Sequence, residues 1–101
     1  MSNRQARIAI QAGFPLRQTS TNTTITDNDF TIEVTSGSPT ITLPTAVGRA
    51  RYIFQIVNSG TGSPIIATTG GQTIQGETSF TLYEGENLTV QSNGTNYIVV
   101  M

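Results

Sequence analysis

The chain contains no cysteine, no histidine and no tryptophan, and all five of its basic residues are arginine. Without cysteine there is neither a disulfide nor a thiolate metal site. Without histidine the commonest general base and the commonest metal ligand are missing, and no ordinary Ser-His-Asp triad can form. Charge is scarce as well: 11% of residues are charged, against about 25% in an average soluble domain. The net charge of −1 offers no general attraction to nucleic acid or to an anionic membrane. No apolar run approaches the length of a membrane span. The stretch Ile8-Ala9-Ile10 is too short for a signal-peptide core and is interrupted by Gln11. These absences predict a soluble protein without an export signal. They point to a structural or binding role rather than an enzyme, with no cofactor, no metal, no nucleic acid and no membrane partner.

Threonine, serine, asparagine, glutamine and glycine supply the polar surface instead. Threonine is β-branched and suits a pleated, half-exposed surface, so the composition predicts an all-β fold. At 101 residues the chain is one domain that buries roughly 60–65% of its unfolded surface, a modest core that oligomerisation would help. The charge is unevenly placed. Residues 1–20 hold Arg4, Arg7 and Arg17 and no acid. Residues 21–101 hold Arg49 and Arg51 against Asp27, Asp29, Glu33, Glu77, Glu84 and Glu86. We therefore read residues 1–20 as a basic N-terminal arm and 21–101 as the body. Ser2 and Gln5 fit a helix capping box, whereas Ala6, Ile8, Ile10 and Ala12 alternate with Arg7, Ala9 and Gln11 in strand fashion. The extended arm is the expectation, because nothing else in the chain is helical. Phe14-Pro15-Leu16 reads as an extended hinge, and Thr19 to Thr24 as a polar linker.

From Ile25 onward the pattern is regular. Phe30, Ile32 and Val34 alternate with Thr31, Glu33 and Thr35; Ile41 and Leu43 alternate with Thr40 and Thr42. Further strands are predicted around Arg51 to Asn58, Ile65 to Ala67, Phe80 to Leu82, Leu88 to Val90 and Tyr97 to Met101. Turn signals separate them: Ser36-Gly37-Ser38-Pro39, Ser59 to Pro64, Gly70-Gly71, Glu84-Gly85-Glu86 and the hairpin pair Asn93-Gly94. Roughly eight or nine short strands at such spacing predict a small antiparallel β-sandwich or barrel, jelly-roll-like, with no strong internal repeat. Two strands break the alternation. Tyr52-Ile53-Phe54-Gln55-Ile56-Val57 is apolar on both faces except at Gln55, and Tyr97 to Met101 is apolar throughout. One face of a small antiparallel sheet is normally wet. Either loops and the arm cover the second face of these strands, or other subunits do.

Few groupings offer chemistry. Asp27-Asn28-Asp29 clusters oxygen ligands but lacks the glycine and distal glutamate of a calcium loop, and reads as a turn. Glu84 and Glu86 flank a turn glycine and read as solvated rather than as a glycosidase pair. The loop glycines Gly60, Gly62, Gly70 and Gly71 do not precede a Lys-Ser/Thr as in a phosphate-cradling loop. Arg49 and Arg51 are read as solvated or inter-subunit partners of acids, and as the candidates for anion or sugar binding. Tyr52, Tyr83 and Tyr97 read as core or interface residues, with sugar stacking as the alternative.

The succession Thr40-Ile41-Thr42-Leu43-Pro44, Tyr52 to Asn58, Gly71-Gln72-Thr73-Ile74-Gln75-Gly76 and Leu88 to Val99 resembles a small β-domain of bacteriophage head-fibre, tail-fibre and baseplate proteins. The resemblance covers about residues 38–100, and Tyr97 stands where such domains often carry an indole. It implies a homotrimer around a three-fold axis, and a non-catalytic virion component. Tyr52, Phe54, Ile56, Tyr97, Ile98 and Val100 would form the trimer interface. The short chain favours a capsid decoration (cement) protein or short head fibre, made in the host cytoplasm and placed on the outer surface of the capsid. Its arm, with Arg4, Arg7, Ile8, Ile10, Phe14, Leu16 and Arg17, would bind the major capsid protein or another virion protein. The alternative is a tail or baseplate module that binds host glycan through Arg49, Tyr83 or loop asparagine and glutamine side chains.

Overall fold

The structure is a computed structural model that describes residues 13–100. Among them there are nine strands and no helix: β1 (Leu16–Thr19), β2 (Thr23–Thr24), β3 (Thr31–Val34), β4 (Thr40–Thr42), β5 (Ile53–Asn58), β6 (Ile65–Ala67), β7 (Ser79–Thr81), β8 (Asn87–Ser92) and β9 (Tyr97–Val99). They form a five-stranded sheet in the order β1-β3-β5-β8-β9 and a four-stranded sheet in the order β2-β4-β6-β7. The all-β expectation is met. Two parts of the expectation are corrected, the purely antiparallel pairing and the barrel: both sheets are mixed and neither closes.

Through its first six strands the chain alternates between the two sheets. β1, β3 and β5 pair in parallel in one; β2, β4 and β6 pair in parallel in the other. A tight hairpin cannot join parallel neighbours, so their connection has to cross over. Here each crossover contains a strand of the opposite sheet. The six strands thus wind as three short coils of a two-sided solenoid. β7, β8 and β9 then finish both sheets with antiparallel pairing, β7 on β6, β8 on β5 and β9 on β8. Register steps from Leu16 to Thr31 to Gln55 in one sheet and from Thr23 to Ile41 to Ile66 in the other. The steps are unequal, which is why no sequence repeat accompanies the coils.

Alternation within each strand splits the side chains. Ile32, Ile56 and Leu88 align across β3, β5 and β8; Phe54 and Val90 align one step along. Ile41 and Ile66 align in the second sheet. All are buried in one cluster that also takes Ile25, Leu43, Ile74, Leu82 and Tyr97. Complete burial of such a side chain contributes roughly 1.5–3 kcal/mol. Tyr97 packs its ring 6.3 Å from that of Phe54 and donates its hydroxyl to the Pro44 carbonyl at 2.8 Å. Burial is the main cause that pushes its phenol up to about 12. Because the folded value lies above the ordinary one, this contribution to stability is complete below pH 10 and falls as pH rises through 12. Two outcomes are expected. The Tyr97 phenol ionises above the ordinary tyrosine value in an ultraviolet titration, and Tyr97→Phe costs about 1 kcal/mol in urea denaturation, the value of one hydrogen bond.

Gln72 to Gln75 shield the free edge of β9. The Tyr97 amide donates to the Thr73 carbonyl at 2.9 Å, the Gln75 amide to the Tyr97 carbonyl at 3.0 Å, and the Val99 amide to Gln75 Oε1 at 2.9 Å. Gln75 sits at φ 50° to do so. The Gln72 side chain ties the same segment to the loop after β4, accepting from the Ala46 amide at 2.8 Å and donating to Thr45 Oγ1 at 2.7 Å. A strand edge blocked in this way cannot template pairing with another chain.

Candidate functional site

Two surfaces stand out. The first is the outer face of the five-stranded sheet. Inward residues of β5 are Phe54, Ile56 and Asn58, so Ile53, Gln55 and Val57 point out. By register Ile53 lies beside Gln91 and Gln91 beside Ile98, and Thr31 lies beside Gln55 and Gln55 beside Thr89. Val100 joins the end of the second row, its amide donating to the Thr89 carbonyl at 2.9 Å. On β1 the outward residues are Leu16 and Gln18, which neighbour Thr31 and Glu33. Ile53, Ile98 and Val100 are 36%, 36% and 38% exposed, and Leu16 is 61% exposed.

Glu33 is the one charged side chain that these outward strand positions carry. It accepts hydrogen bonds from Ser59 Oγ at 2.6 Å and Gln18 Nε2 at 2.8 Å. The Ser59 bond first, and the Gln18 bond second, lower its pKa below the usual carboxylate value. A carboxylate depressed in the folded state adds stability above its ordinary pKa, and that stability is lost as pH falls through the lowered value. Ser59→Ala is expected to raise the Glu33 pKa, read by NMR titration of its carboxyl carbon.

The structure sorts the six residues expected at a subunit interface. Phe54, Ile56 and Tyr97 are within 1% of complete burial in the chain's own core, so they are corrected from surface to core. Tyr52, Ile98 and Val100 are exposed. The reason is strand alternation: once Tyr97 points in, Ile98 points out.

The arm residues divide too. Arg4, Arg7, Ile8 and Ile10 lie outside the described residues. Leu16 and Arg17 belong to β1, which pairs with β3, so the body begins before residue 20. Phe14 stacks on Phe30 with ring centres 4.7 Å apart. Arg17 makes a bidentate pair with Asp29, Nε–Oδ1 3.1 Å and Nη2–Oδ2 2.8 Å, and also reaches the Thr24 carbonyl at 3.1 Å. It thereby links the two sheets at the first coil, and is corrected from free anchor to engaged cation.

Arg49 is held in the same way. Its Nε and Nη2 meet Asp27 Oδ1 and Oδ2 at 2.6 and 3.2 Å, and Nη1 reaches the Thr45 carbonyl at 3.2 Å. The Asp27 hydrogen bond raises its pKa. Asp29 also accepts the Thr26 amide at 2.8 Å. Asp27 and Asp29 are therefore turn residues whose charges are met by two guanidinium groups. Glu84 and Glu86 sit on a reverse turn, the Glu86 amide donating to the Tyr83 carbonyl at 3.0 Å and its carboxylate accepting from the Tyr83 amide at 2.7 Å.

The second surface is an open groove of about 440 Å³ beside β7, lined by Glu77, Ser79, Phe80, Thr81, Tyr83 and Glu86. β7 is the edge of its sheet, and all three of its residues are exposed. Sequence reasoning singled out Tyr83 but not the groove, because only the topology brings Glu77 to the same edge. A comparison of the chain with family models, curated proteins and solved structures finds no match.

Proposed function

We propose that the chain is a non-enzymatic structural protein of a bacteriophage particle, a capsid decoration protein or short head fibre that assembles as a homotrimer. The observation that carries this reading is the outer face of the five-stranded sheet. It presents Ile53, Ile98, Val100 and Leu16 among neutral amides and hydroxyls, with one carboxylate already satisfied by its neighbours. Subunit interfaces are depleted in charge at their centre and mix apolar contact with hydrogen bonds in this way. The order of motifs from Thr40 to Val99 supports the phage assignment through its resemblance to fibre and baseplate domains. The chemistry agrees, since the chain has no histidine or cysteine, and Asp27 and Asp29 are tied to arginines.

The test has two parts. Light scattering on the purified chain should give three times the 10.8 kDa protomer mass, and the chain should co-sediment with phage heads that lack it. A monomer that stays in the supernatant would sink the proposal. Replacing Ile98 by arginine should separate the copies while leaving far-ultraviolet circular dichroism unchanged, since Ile98 is on the surface and buried charge is what an interface resists.

A further inference from the structure

We infer that the groove beside β7 receives residues 4–12 of a second copy of this chain, which add as a strand to the open edge of the four-stranded sheet. This rests on the homotrimer proposed above and gives it a mechanism of closure.

The argument starts from the edges. Each sheet has two, and they differ. The β9 edge is covered by Gln72 to Gln75, and at the other end Arg17 on β1 is tied to Asp29 and also reaches the Thr24 carbonyl of the edge strand β2. β7 has no such protection among the described residues. Ser79-Phe80-Thr81 contains no charge, no proline and no bulge, and every residue is exposed. The Leu82 amide bonds the Pro64 carbonyl at 2.8 Å, and Ile66 opposes Phe80. In an antiparallel ladder the bonded positions alternate. Phe80 therefore turns its backbone groups to β6, and Ser79 and Thr81 turn theirs to the open side. An extended peptide that adds to such an edge gains main-chain hydrogen bonds, and adjoining pockets read its alternate side chains.

The groove specifies which peptide. Its walls pair apolar rings, Phe80 and Tyr83, with two carboxylates, Glu77 and Glu86, and no cation. Residues 1–12 hold the matching features: Arg4 and Arg7 with no acid, and Ala6, Ile8, Ile10 and Ala12 in strand alternation. A guanidinium beside a carboxylate and an aromatic face gains from both.

Topology favours a neighbour's segment. The described chain enters at β1, at one end of the five-stranded order, and β2 begins the four-stranded order; β7 ends the latter. Donor and acceptor therefore lie at opposite ends of the protomer. A contact between unlike patches repeats head to tail, and it closes into a ring when the rotation allows. Three copies with their five-stranded sheets toward the axis would bring the first coil of each beside β7 of the next.

The absence of cysteine makes the test clean. The double variant Ile8→Cys with Thr81→Cys is oxidised and run on a denaturing gel without reductant, beside light scattering of the wild-type chain, of a variant lacking residues 1–12, and of Glu77→Lys with Glu86→Lys. The expected result is covalent species of two and three chains, a trimeric wild type, and loss of the trimer in the deletion and in the double-lysine variant, each with unchanged circular dichroism. A bond closed within one chain would overturn the exchange between copies. A trimer that survives the deletion, or that gives no cross-link, would overturn the inference and leave the trimer itself standing. A monomeric wild type would overturn both.

Discussion

Gly62→Ala is expected to destabilise the protein by about 3 kcal/mol or more, because backbone would have to move to accept one methyl group. A Cβ built on Gly62 overlaps the carbonyl oxygen of Gly37 and falls 2.8 Å from Ser38 Oγ. These are the corners of two successive coils, 36–38 leaving β3 and 59–63 leaving β5. They touch backbone to backbone: at Gly60 an added Cβ would come within 2.9 Å of Ser36 Cα and of the Thr35 carbonyl oxygen. The Ser63 amide donates to Ser38 Oγ at 2.8 Å across the same junction. Gly71→Ala is the control. Gly71 has φ 75° and open space around it, so alanine there meets only the left-handed backbone penalty of roughly 1–2 kcal/mol. Urea denaturation of both variants measures the difference. Equal losses would mean that the coil corners are not packed as closely as described.

The second large effect is expected at Asn58. This side chain is 1% exposed at the end of β5, level with Val34. It donates to the carbonyls of Gly62 at 2.8 Å and Leu82 at 3.0 Å and accepts from the Gly60 amide at 3.1 Å. It thus organises the coil corner and fastens it to the segment after β7. Asn58→Leu keeps the branched shape and heavy-atom count, crowds the site with a bulkier apolar group, and orphans three backbone groups, two of them buried. Each such group costs about 1–3 kcal/mol, and partial entry of water offsets some of it, so a loss of about 3–4 kcal/mol is expected in the same denaturation measurement. Asn58→Ala should lose a similar amount, since a cavity replaces the crowding. If Asn58→Leu were neutral, hydrogen bonding at this site would not contribute to stability.

Strand positions were largely legible. β3 and β4 fall where alternation placed them, β5, β6 and β9 fall where apolar runs between turn signals placed them, and the Asn93-Gly94 turn does join β8 to β9, with the Asn93 amide on the Asn96 carbonyl at 3.0 Å. Strand direction was not legible, because side chains alternate with period two in parallel and antiparallel ladders alike. Ser36 to Pro39 and Ser59 to Pro64 read as turns between strands of an antiparallel fold, yet each carries the chain from one sheet to the other. Thr19 to Thr24 read as linker, since two- and four-residue polar strands at an edge have no apolar period to show. The surface residues were half legible. Ile98 and Val100 follow from Tyr97 by alternation once one of them is known to be buried. Asn58 was hidden, because a polar residue closing an apolar strand looks like the start of a loop; its role appears only when the next coil supplies the groups it binds.

Electron cryomicroscopy of phage particles assembled with and without this chain tests the central proposal most directly. The expected difference is three-fold density on the outer surface of the head, into which three copies fit with their five-stranded sheets toward the axis. Particles that look identical in the two preparations, together with a chain that binds no part of the virion, would contradict it.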